Sequence, residues 1–192
     1  MVYLIAGLLV FLGAHSIRLV ADGWRSRTVA RLGEGAWKGI YSVFSLAGFA
    51  LLVWGYGQAR QQPVLLWSPP VATRHVAALL TLIAFVLLAA AYVPRNYFKA
   101  RLHHPMLLGT KVWALAHLLA NGTLADVLLF GSFLAWAVVA FAASRRRDRA
   151  NGVVYASGAV VPTLITVGAG TLAWIAFAFW LHRPLIGVHP FG

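Results

Sequence analysis

Long runs of apolar residues, separated by short polar stretches, divide the chain into six segments. They cover residues 2–20, 38–57, 75–93, 105–120, 123–143 and 159–181. Each is close to the ~20 residues that an α-helix needs to cross the hydrocarbon core of a bilayer. The pattern predicts an all-α fold, a polytopic membrane bundle of about six transmembrane helices, in a single domain over residues 1–192.

The ends of these segments carry local signals. No positive charge precedes the first segment, and Arg18 closes it without the small-residue site at which signal peptides are cleaved, so we expect a retained span. Asn121 and Gly122 stop the fourth segment just before the fifth begins, which predicts a tight helical hairpin. Glycine and aromatic residues are frequent in the second segment, where they favour close helix contacts and the membrane interfaces.

Composition supports a membrane location. Hydrophobic residues make up 61% of the chain and charged residues only 10%, whereas about a quarter of a soluble domain is charged. A soluble enzyme is therefore excluded. The chain contains no cysteine, which excludes disulfides, iron–sulfur clusters, thiolate-ligated haem and cysteine-based zinc sites.

The basic residues predict the orientation of the spans. The net charge of +12 would indicate nucleic acid in a soluble protein, but these residues lie between apolar runs, and we expect no nucleic-acid partner. One side carries Arg25, Arg27, Arg31, Lys38, Arg95, Lys99, Arg101, Arg145, Arg146, Arg147 and Arg149, and the other Arg60, Arg74 and Arg183. The positive-inside rule then places both termini outside the cytoplasm. We expect the run SRRRDR to anchor the fifth span, and binding of acidic lipid or of a partner is the alternative.

Histidines in or beside the spans are the main candidates for chemistry, because ionisable side chains are costly in hydrocarbon. Four of the seven histidines qualify, namely His15, His75, His104 and His117. We assign no role to His103, His182 and His189. With four acidic residues in the chain, a catalytic zinc site or a carboxylate proton relay is disfavoured.

Haem b suits this residue set better. It needs one or two neutral imidazoles in an apolar pocket and cations for its propionates, for which Arg18 and Lys111 are candidates. His104 and His117 are 13 residues apart on one helix, which separates them by roughly 20 Å and about 140°. A ligand from another span is therefore required. His15 and His104 lie at similar predicted depths in the membrane, and so do His75 and His117. The number of haems, one or two, therefore stays open.

Four motifs resemble the NnrU family of integral membrane proteins: GAHSIR, YSVFSLAGFALLVWGYGQAR, RHVA and HPMLLGTKVWALAHLLANG. The resemblance covers nearly the whole chain. It implies an accessory role in denitrification and nitrogen-oxide metabolism, in a bacterial cytoplasmic membrane. The same superfamily includes the plant 15-cis-ζ-carotene isomerase, a membrane haem b protein that isomerises a polyene through redox-controlled histidine ligation.

The resemblance also implies site residues. It makes His15 and His117 the axial pair of a haem b, with His75 and His104 matching the other family histidines. The plant enzyme has a cysteine near its second ligand, and this chain has none. The implied function is redox-linked chemistry on an apolar substrate, similar to cis–trans isomerisation, or the nitrogen-oxide role. We expect membrane lipid and an apolar polyene as partners, and we allow for a homo-oligomer.

Two alternatives stay open. The segment HHPMLLG is similar to the RHPxYxG segment of the isoprenylcysteine carboxyl methyltransferase family, which uses S-adenosylmethionine. His103 and Leu107 replace the arginine and tyrosine of that motif, and no acidic residue follows Asp148 where the family has paired glutamates. The other alternative is a haem carrier, sensor or assembly factor without catalytic activity.

Overall fold

The computed structural model describes residues 1–190, and this part of the chain is helical, with two isolated β-bridges and no β-sheet. The helices are α1 (Val2–Val20), α2 (Asp22–Leu32), α3 (Glu34–Ala59), α4 (Val71–Tyr92), α5 (Tyr97–Leu102), α6 (Pro105–Ala120), α7 (Leu124–Ala150), α8 (Val160–Ala176) and α9 (His182–Ile186), with a π-helical turn (Phe177–Leu181) between α8 and α9. The predicted all-α membrane bundle is confirmed.

Each predicted segment lies mainly within a helix. Five helical stretches are long and apolar enough to cross a membrane: α1, α3, α4, α7 and the continuous stretch from α8 to α9. The sixth, α6, has 16 residues and is therefore about 24 Å long. The main difference concerns α7, which continues through the arginines to Ala150 instead of ending near residue 143. Arginine and alanine are good helix formers, and the first glycine after them is Gly152.

The described chain forms two compact units, and the first comprises residues 1–66 and 123–132. Within this unit α1 packs along α3. A Cβ atom at Gly55 would collide with the backbone of Tyr3 and Leu4, and one at Gly48 would lie 2.8 Å from the backbone nitrogen of Phe11. The glycines of α3, which predict close helix contacts, therefore lie where α3 meets α1.

A buried carboxylate stabilises the start of α7 in the same unit. Asp126 is 4% exposed, and Tyr56 donates its hydroxyl to Asp126 Oδ1 at 2.5 Å. Thr123 donates to Asp126 Oδ2 through its backbone nitrogen at 3.0 Å and its hydroxyl at 2.6 Å. Both carboxylate oxygens thus accept hydrogen bonds, which offsets the cost of burying the charge.

The second unit comprises residues 67–122 and 133 onward, in which α4 packs on α6 and α8. Asn96 is fully buried where α4 turns into α5. Its side chain donates to the carbonyl oxygens of Ala90 and Val93 and accepts from the backbone nitrogen of Lys99. The single domain over residues 1–192 stays a prediction.

Candidate functional site

A cleft beside His15 in the first unit brings an imidazole, cations and aromatic rings together. Its volume is about 260 Å³, and it lies where the end of α1 meets α2 and the start of α3. The lining residues are Ala14, His15, Ile17, Arg18, Arg25, Trp37 and Tyr41. Two of the residues predicted for the site, His15 and Arg18, therefore share one cleft.

The hydrogen bond of His15 fixes which ring nitrogen carries the proton in the neutral form. Nδ1 lies 2.7 Å from the carbonyl oxygen of Phe11, and since a carbonyl can only accept, Nδ1 must be the donor. Nε2 then holds the lone pair, as in metal-ligating histidines whose other nitrogen donates to a carbonyl. The rings of Phe11 and Tyr41 lie 4.2 Å and 5.4 Å from the imidazole.

The cationic side of the cleft comes from α1 and α2. Arg18 is 62% exposed, and its Nε lies 3.9 Å from a carboxylate oxygen of Asp22. The guanidinium of Arg25 stacks over the ring of Trp37 at 5.9 Å. The sequence indicates only an orientation signal for Arg25. A tertiary contact between α2 and α3 brings it to the cleft, and no local motif indicates that contact.

His117 repeats the arrangement of His15 within the second unit. Its Nδ1 donates to the carbonyl oxygen of Trp113 at 2.8 Å, and the Trp113 ring lies 5.1 Å away. On the same helix, Lys111 places its ammonium 4.0 Å from the centre of the Phe141 ring, a cation–π contact with α7. This tautomer of His117 also leaves the lone pair on Nε2.

A polar cluster in the second unit joins the turn before α6 to the end of α7. His104 Nε2 lies 2.7 Å from Asp148 Oδ2, and Tyr155 donates its hydroxyl to the same oxygen at 2.7 Å. Arg145 hydrogen-bonds His103 Nδ1, and the ring of Tyr155 stacks on His103 at 4.1 Å. The sequence gives no sign that His103, Arg145 and Tyr155 belong to one cluster, because the contacts of His103 with Arg145 and of His104 with Asp148 connect positions more than 40 residues apart.

The two members of this cluster that lie outside the membrane-spanning helices, His103 and Tyr155, have pKa values shifted from their ordinary ones. Burial, reinforced by the charge of Arg145, lowers the pKa of His103 below its usual 6.5. Burial and the hydrogen bond to Asp148 raise the pKa of Tyr155 to about 12. His103 also has a φ of 70°, which is uncommon for residues other than glycine. The contacts with Arg145 and Tyr155 therefore hold a strained turn in place.

Acidification is expected to weaken this turn. A guanidinium can only donate, so His103 accepts from Arg145 only while it is neutral. Since the folded-state pKa is lowered, the unfolded chain takes up the proton first, and stability falls as the pH drops below the unfolded value near 6.5. Thermal unfolding followed by circular dichroism from about pH 8 to about pH 5 would measure this loss.

His103→Gln is the control for that experiment, because an amide oxygen accepts from Arg145 at every pH in the range. The variant should lose less stability on acidification than the wild type. Equal pH dependence in the two proteins would contradict a role for His103.

The other histidines and the lysine predicted for the site lie in the second unit. His75 is exposed in the first turns of α4, in the second unit, which also holds His104, Lys111 and His117. Within residues 1–190, no group of three histidine or acidic side chains is arranged to hold a metal ion. The axial pairing of His15 with His117 stays a prediction, as do the roles of His75 and Lys111.

A second cleft in the first unit is apolar. Its volume is about 280 Å³, close to the lower end of the range for small-molecule sites, about 300–1,000 Å³. The lining residues are Ile5, Leu8, Leu9, Leu12, Gly13, Ser16, Leu128 and Ser132. A Cβ atom at Gly13 would meet no atom within 4 Å, so open space borders this glycine.

Comparison with known proteins identifies one family. The family model described as NnrU protein matches residues 3–190 of this chain. No curated protein and no solved structure matches the chain. The match therefore covers nearly all of the sequence, including both clefts and the polar cluster.

Proposed function

Starting from a chain that belongs to the NnrU family, we propose that it is a multi-pass membrane protein that binds haem b and performs a redox-linked step in nitrogen-oxide metabolism. Family membership supports the metabolic setting. The cofactor is inferred from the residues around His15.

The cleft of His15 is the observation that carries this proposal. It combines an imidazole whose lone pair is on Nε2 with two arginines and two aromatic rings. This combination suits a haem b site, because the iron takes a neutral nitrogen ligand, the macrocycle takes apolar contacts and cations neutralise the propionates. Both arginines, Arg18 and Arg25, line the same cleft as the histidine.

The residues present suit the iron and the propionates of the group. A cleft of about 260 Å³ is smaller than the about 300–1,000 Å³ of most small-molecule sites, so it accepts part of a macrocycle rather than all of it. The polar groups in the cleft are of two kinds, one imidazole and two guanidinium groups. His15 would supply the ligand nitrogen, and Arg18 and Arg25 would neutralise the carboxylates.

Bound haem would supply one-electron chemistry and an iron atom whose ligands can exchange. The chain would supply position and environment. The carbonyl oxygen of Phe11 accepts a hydrogen bond from Nδ1 of His15 and so orients the ring, as carbonyl partners do for metal-ligating histidines. Trp37 and Tyr41 would exclude water from the apolar part of the ring, and the second cleft offers apolar walls to a hydrophobic substrate.

Polyene isomerisation and methyl transfer are the alternative functions. Isomerisation of an apolar polyene rests on the resemblance to the superfamily of the plant carotene isomerase and on the apolar character of the second cleft. The methyltransferase alternative rests on the segment HHPMLLG, whose two histidines contact Arg145 and Asp148. Nothing among the described residues favours methyl transfer.

An absorption spectrum of the full-length protein, purified in detergent with haem available during expression, tests the proposal. We expect a Soret band, with sharp α and β bands on reduction if two histidines hold the iron. Arg25→Ala should weaken haem retention, whereas Arg27→Ala, an exposed arginine of the same helix that does not line the cleft, should not. A colourless protein that cannot be reconstituted with haem would refute the proposal.

A further inference from the structure

The charges of the second unit are strongly unbalanced. Its sequence contains ten arginines and lysines but a single carboxylate, Asp148. That carboxylate already accepts hydrogen bonds from His104 and Tyr155 through Oδ2. The unit therefore cannot neutralise its own cations, and their counter-charges must come from outside it.

Contacts within this unit gather many of these cations at one end. The backbone nitrogen of Ala159 donates to the carbonyl oxygen of Arg95 at 2.8 Å, and the contact of His104 with Asp148 joins the turn before α6 to the end of α7. Four arginines at this end are exposed and form no ion pair within residues 1–190. We call this group the cationic end: Arg95, Arg101, Arg146 and Arg149.

Apolar side chains lie next to these arginines. The non-helical connection from α7 to α8 carries Val153, 47% exposed, and Val154, 91% exposed. Exposed valines beside arginines are unfavourable in bulk water but suit the bilayer interface, where the apolar groups insert and the guanidinium groups meet phosphates. The arrangement therefore fits the surface of a lipid bilayer better than a free solute.

We propose that the cationic end binds the phosphate headgroups of anionic phospholipids, with Val153 and Val154 inserted beside them. Each arginine near an anionic membrane surface contributes favourable energy that salt screens. The bound lipid supplies the counter-charges that the unit lacks. This inference does not depend on haem binding.

The test compares two short-chain lipids added to the delipidated full-length protein in a neutral detergent. Native mass spectrometry measures lipid occupancy, and circular dichroism measures the melting temperature. Phosphatidylglycerol should bind and raise the melting temperature, and added salt should reverse both effects. Phosphatidylcholine should do neither to a comparable extent. Equal effects of the two lipids would overturn the proposal, and so would equal stabilisation by inorganic phosphate.

Variants locate the site. The pair Arg146→Gln and Arg149→Gln should weaken phosphatidylglycerol binding by about fivefold per arginine. The matched control pair is Arg74→Gln and Arg183→Gln, two exposed arginines of the same unit outside the cationic end. An equal loss in the control pair would overturn the location. Arg146→Lys with Arg149→Lys should retain most binding, which separates lost charge from a folding defect.

Discussion

Replacing Gly55 by alanine is expected to destabilise the first unit by about 1–3 kcal/mol, the usual cost of overpacking. The new methyl group would collide with backbone atoms of Tyr3 and Leu4. Backbone atoms cannot change rotamer, so α1 would have to move away from α3. The melting temperature in detergent, followed by circular dichroism, measures the loss.

Gly39→Ala is the matched control for that variant. Gly39 lies on the same helix, and a Cβ atom there would meet nothing within 4 Å. Alanine is the better helix former by roughly 1 kcal/mol, so this variant should be neutral or slightly stabilised. If both variants melt at the wild-type temperature, close packing of α1 on α3 is not needed for stability.

Replacing His15 by alanine is expected to remove haem from the purified protein. The variant loses the proposed ligand nitrogen while Arg18, Arg25 and the aromatic walls of the cleft remain. Since even indirect partners of metal ligands are typically worth 10–100-fold in affinity, haem retention should fall about tenfold or more. Pyridine haemochrome quantification per mole of protein measures the change, and added imidazole should partly restore the Soret band.

His182→Ala is the control for this experiment. His182 also places Nδ1 near a carbonyl oxygen, that of Val188, at 2.8 Å, but we assign it no role. That variant should keep the wild-type spectrum. His117→Ala should lose or shift the spectrum if the implied axial pairing is correct. A normal spectrum in His15→Ala, together with loss in His75→Ala, would refute our ligand assignment.

Only some of the residues that meet in the cleft and in the polar cluster could be placed together from the sequence. His15 and Arg18 are three residues apart on one helix, so helical periodicity puts them on neighbouring positions, and both line the cleft. Arg25 and Trp37 reach the same cleft from different helices. Likewise, His103 and Arg145 meet across 42 residues, and no local pattern contains such a contact.

The sequence was sufficient to predict the helical membrane fold, because unpaired backbone groups are costly in hydrocarbon and apolar runs of this length match the bilayer thickness as helices. It also determined which polar side chains lie in or beside the spans. Which of these side chains meet became visible in the folded molecule alone, as in the cleft of His15, the contact of Tyr56 with Asp126 and the cluster around Asp148. Such contacts depend on how helices pack, and packing is a property of pairs of surfaces rather than of any one segment.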